Sequence, residues 1–167
     1  MMMSYIDVVV RYFIAHYPYP NDLSKTRLTK MVYLADWKAV STLGRQVTPI
    51  RWYFDHYGPY VPDVFDAIKD DPTLSIRRSQ SGFGGFKEIV VSKGEKNLDT
   101  SLLRPDDQPI LDAVIQATQD MSYSGFIAYV CQTEPIATGK RYTELPLEEI
   151  APNPRSFRYT PLNTGSG

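Results

Sequence analysis

Apolar residues recur at the helical period from the start of the chain. Ile6, Val9, Val10, Phe13, Ile14 and Tyr17 make one face, and Pro18 and Pro20 stop the segment. Ser24 is a suitable N-cap for a second helix, because its hydroxyl can accept from the free N–H groups of the first turn. Leu28, Met31, Val32, Ala35, Ala39 and Leu43 then form a stripe that Tyr33, Trp37 and Val40 widen, so this helix is expected to be in contact on more than one side. Gly44 stands where a left-handed residue closes a helix.

After Pro49 the period changes to two. In a strand, Ile50, Trp52, Phe54 and His56 point one way and Arg51, Tyr53, Asp55 and Tyr57 the other, with Gly58-Pro59 ending the element. A short helix follows Pro62, with Val64, Phe65 and Ile68 inward. Asp70-Asp71-Pro72 reads as a turn. Leu74 to Gln80 and Phe86 to Val91 read as two strands joined by a glycine-rich loop at 81–85. No Gly-Lys-Ser/Thr follows that loop and no helix opens after it, which argues against a nucleotide cradle. A helical block starts near Asp106, with Ile110, Leu111, Val114, Ile115 and Thr118 on one face. Ser122 recaps a shorter helix carrying Phe126, Ile127 and Val130, which Pro135 ends. This order predicts an α+β fold: a mainly helical single domain with a small antiparallel sheet made of one strand plus a hairpin. The domain is expected to span residues 1–144. The proline-rich tail at 145–167 is expected to build no packed element of its own.

Composition narrows the function. Lys and Arg number 18 against 19 Asp and Glu, so the basic excess that phosphate neutralisation demands of a nucleic-acid binder is missing. Lys25, Arg27, Lys30 and Lys38 share the second helix with Asp36 and read as a solvated face. No apolar run is long enough to span a bilayer, and no basic segment precedes an apolar one at the N-terminus, so a cytoplasmic location is expected. Cys131 is the single cysteine, and no metal-spaced Cys/His cluster occurs; neither metal nor cofactor is expected.

Catalysis finds little support. Asp55 and His56 are neighbours in a strand and point apart. Cys131 reads as a small core hydrophobe among Phe126, Ile127 and Val130, and His56 as a core histidine on the Trp52 face. Asp106-Asp107 reads as charge at a helix N-terminus, and Glu148-Glu149 as solvated tail. Aromatic residues reach 13%, with 12 Tyr, and tyrosine serves contact surfaces well because its ring buries much area while its hydroxyl stays wet. Tyr53, Tyr57 and Tyr60 flank Gly58-Pro59 and are the best candidates for partner contacts, with Trp37 beside them.

One stretch resembles a known family. Leu28-Thr29-Lys30-Met31-Val32-Tyr33-Leu34-Ala35-Asp36-Trp37, then Gly44, Trp52 and Gly58-Pro59-Tyr60-Val61-Pro62, looks like the helix, glycine, aromatic strand and Gly-Pro-x-Val-Pro signature of the Panacea domain. This is the SocA-like antitoxin family, also described as phage-associated GepA-like proteins. Ile136 after Pro135 departs from the tryptophan frequent there. The resemblance implies an antitoxin with a protein-binding role, and the residues give no reason to expect enzymatic activity. Its expected partner is a protein toxin encoded by a neighbouring gene and neutralised by direct binding. It also implies, as an alternative, an adaptor that delivers a partner to an ATP-dependent protease; a phage-related regulator touching nucleic acid is the further alternative, which a basic stripe of Lys25, Arg27, Lys30 and Lys38 would favour.

Overall fold

The computed structural model describes residues 3–80, 85–94 and 98–151. The glycine-rich loop at 81–84 and the tail from 152 onward lie outside the described residues.

Helix α1 (Tyr5–His16) is capped by Ser4, whose hydroxyl accepts from Asp7 N. It buries Val9, Val10 and Phe13. Helix α2 (Lys25–Leu43) starts at Ser24, which accepts from Arg27 N, and ends at Gly44 with φ +80°. Both caps are the ones the sequence offers. α2 is the central strut. It packs against α1, α3 (Asp63–Asp70), α4 (Gln108–Thr118), the short α7 (Leu147–Ile150) and two strands.

Such wrapping explains a correction. Arg27, Lys30 and Asp36 do not lie on a solvated face; all three are buried, and only Lys38 is fully on the surface. Leu43, expected in the stripe, is exposed at the last turn. Asp36 accepts from Thr48 N at 2.8 Å, from the Thr48 hydroxyl at 2.6 Å and from Trp52 Nε1 at 2.8 Å, which fastens the segment after Gly44 to α2.

The predicted strand at 50–57 folds differently. It is a hairpin of β1 (Tyr53–Asp55) and β2 (Gly58–Tyr60), reversed by His56-Tyr57. Gly58 has φ +109°, a conformation that L side chains rarely adopt, and this allows the two-residue loop to close. Pro59 stands opposite Phe54 and has no N–H to give. Phe54 turns its backbone groups the other way: its N–H donates to Thr143 O and its carbonyl accepts from Tyr142 N. Trp52 and Phe54 are buried as the alternation predicts, but His56 is carried by the turn to the surface. The second hairpin, β3 (Leu74–Gln80) with β4 (Phe86–Ser92), pairs in antiparallel register as the sequence suggests. The fold is therefore α+β, with helices around two small antiparallel hairpins where one strand and one hairpin were expected.

Toward the C-terminus, α5 (Tyr123–Cys131) is capped by Ser122. Pro135 does not simply end it but opens a further short helix, α6 (Glu134–Thr138). Leu145 and Leu147 are both buried in the main core, so residues 145–151 do form a packed element against the domain.

Two ionic clusters brace the core. Arg11 grips Asp71 through Nε at 2.7 Å and Nη2 at 3.0 Å. Asp107 is more than helix-end charge: its carboxylate accepts from Tyr5 Oη, Arg45 and Arg104.

Candidate functional site

The hairpin arranges the tyrosines. Tyr53 and Tyr60 are direct cross-strand partners and both are exposed, on the face opposite Phe54 and Pro59. Tyr57, in the loop, is 79% exposed, the most open of the large hydrophobic residues among those described. Beside Tyr53 runs Glu144, bridged to it along the backbone and ion-paired to Arg51 at 3.0 Å. Three of the four predicted contact residues thus come together on one hairpin. Trp37 does not join them. It is half-buried and lines a separate hollow with Leu34, Lys38 and Tyr129, between α2, α4 and α5.

The hairpin loop overhangs a cleft of about 790 Å³ between α2 and α5. Lys30, His56, Tyr57, Cys131 and Arg141 line it, together with the apolar side chains of Phe54, Ile127 and Ile136. Lys30 Nζ donates to the Pro59 carbonyl at 3.1 Å. Burial pushes its ammonium below the usual lysine range, opposed by nearby Cys131 and Asp55. Cys131 is exposed on the last turn of α5, not a core residue, because the period that buries Phe126 and Val130 leaves it facing the cleft. His56 also reaches the cleft, yet no hydrogen bond joins it to Cys131; its Nδ1 is within 3.0 Å of the Tyr142 hydroxyl. Arg141 Nε donates to the His56 carbonyl and steadies the loop.

Sequence reasoning missed Lys30, Tyr123 and Arg141 as cleft residues. The available signal was a lysine on the Leu28–Met31 side of α2, which is an odd position for a solvated charge.

With this geometry in view, the comparison with known families is decisive. A family model described as antitoxin SocA-like, Panacea domain, matches residues 28–135, more than half of the chain. The chain belongs to the Panacea-domain family. The match begins at Leu28 on α2, covers the Tyr53–Tyr60 hairpin and α5, and ends at Pro135 in α6. Neither the curated proteins nor the solved structures contain a significant match. As a Panacea-domain protein the chain has a general antitoxin role. No helix among the described residues is long and apolar enough to cross a membrane.

Proposed function

We propose that this Panacea-domain protein neutralises a protein toxin by direct contact, without chemistry of its own. The observation that carries the reading is the hairpin: Tyr53 and Tyr60 side by side on its outer face and Tyr57 at its tip above the cleft. Aromatic anchors dominate contact energetics because they bury much area with few rotatable bonds. A chain of net charge −1 gains little from long-range attraction, so contact energy rests on such anchors. The test is co-expression with the product of the adjacent reading frame. The expected result is growth rescue together with a stable complex in size-exclusion chromatography. Rescue with no complex at any stage of purification overturns the reading.

A further inference from the structure

Among the described residues, buried charges are partnered, with two exceptions. Arg11 and Asp71 hold each other, Asp107 receives two arginines, and Asp36 is saturated by hydrogen bonds. Arg27 and Lys30 are each only 3% exposed, and among the described residues neither makes an ion pair. Lys30 has one carbonyl partner. Arg27 Nη2 donates to Met121 O at 2.6 Å, its Nη1 has no hydrogen-bond partner among the described residues, and its guanidinium lies 4.5 Å from the centre of the Phe126 ring. A buried cation without an ion pair is costly, and an apolar residue of the same volume would pack there at no such cost. These two cations, three positions apart on α2, are neighbours on one helix face.

Each lines one of two adjoining hollows that together make a groove. Lys30 lines the cleft beneath the hairpin, and Arg27 lines an adjoining hollow of about 570 Å³; Thr26 and Tyr123 border both. Among the described residues no Asp or Glu lines the cleft under the hairpin, whereas Lys140 and Arg141 do. Around Arg27 the surface lysines are already neutralised: Lys25 pairs with Glu88 at 2.7 Å and Lys87 with Asp22 at 3.7 Å. Apolar and aromatic walls alternate with the two cations, from Ile127 and Ile136 to Tyr123 and Phe86.

We propose that this groove is the seat of an acidic–apolar segment of the protein partner, one carboxylate docking on Lys30 and a second on Arg27. The inference rests on the toxin-binding reading and adds the chemistry of the contact. The apolar and aromatic walls favour a peptide, whose acidic side chains alternate with apolar ones, over the evenly charged phosphate backbone of a nucleic acid.

The test is selection of a phage-displayed dodecapeptide library on the full chain, followed by affinity measurements of the synthesised winners on the parent, Lys30→Met, Arg27→Met and Lys38→Ala. The expected winners carry Asp or Glu interleaved with apolar residues. They should bind the first two variants at least about thirtyfold more weakly and bind Lys38→Ala, at an exposed site, as the parent. Neutral or basic winners, winners indifferent to Lys30 and Arg27, or no winners at all overturn the proposal. So does a thermal shift by a dT12 oligonucleotide or inorganic phosphate that depends on the same two residues while peptides have no effect. Melting temperatures separate binding from folding: each methionine variant should melt no lower than the parent, and a loss of several degrees with intact peptide binding makes the side chain a structural strut. If the adjacent gene product binds both variants at full strength, the groove assignment fails and toxin neutralisation stands.

Discussion

The indole N–H of Trp52 donates to the buried carboxylate of Asp36 at 2.8 Å, tying the segment that enters the tyrosine hairpin to the middle of α2. Two bonds from Thr48 converge on the same carboxylate. Removing it strands three donors in the interior. Asp36→Ala is expected to lower stability by about 2–4 kcal/mol, with Asp36→Asn costing less because one oxygen remains to accept. Urea denaturation of both variants checks the order.

Gly58 predicts a backbone effect. At φ +109° a side chain is strained even though the added Cβ meets nothing closer than Lys30 Nζ at 3.8 Å. Gly58→Ala should therefore cost about 1–2 kcal/mol and Gly58→Val about 1–3 kcal/mol, both through strain and not through a clash. An unchanged melting temperature in the valine variant removes the hairpin turn from the list of architectural constraints.

The tyrosines separate folding from binding. Tyr53, Tyr57 and Tyr60 are exposed, so alanine at any of them should leave the circular dichroism spectrum intact. Each substitution is expected to weaken the complex with the adjacent gene product by about tenfold. Trp37→Ala, in its separate hollow, should weaken it less. A pull-down series with all four variants gives the ranking.

Stability should vary with pH in a definite direction. Burial raises both Asp7 and Asp36 to about 7, with neighbouring Asp71 adding to the effect at Asp7 and hydrogen bonds from Thr48 and Trp52 opposing it at Asp36. An acid whose folded pKa lies above its unfolded value near 3.8 favours the folded state while protonated. That stabilisation is complete below about pH 4 and is lost as pH rises through about 7. Asp71 acts oppositely. Despite its burial, hydrogen bonds from Arg11 and Thr73 hold it well below the usual carboxylate range, so its contribution is present at neutral pH and lost in acid. The urea midpoint should therefore rise as pH falls from 8 toward 5, then drop in stronger acid. Asp7→Asn should stabilise at pH 8, by about 1 kcal/mol or less given its partial exposure, and bring no gain at pH 5.

Local chemistry was legible in the sequence. Ser4 apart, the caps at Ser24, Gly44 and Ser122, the β3–β4 hairpin and the burial of Trp52 follow from hydroxyl acceptors, a residue free to take positive φ, and alternation of period two. The exposed tyrosines on either side of Gly58 were legible for the same reason. What the sequence could not determine is what surrounds α2. Charged residues on a helix normally meet water, and only the packing of α1, α3, α4 and both hairpins around this one turns Arg27, Lys30 and Asp36 inward. The reversal at His56-Tyr57 was hidden too, because a two-residue loop leaves the apolar alternation of β1 intact up to the turn. The cleft itself is a long-range product: residues near 30, 56, 131 and 141 meet only after the hairpin docks beside α5, and no local pattern of residues specifies that meeting.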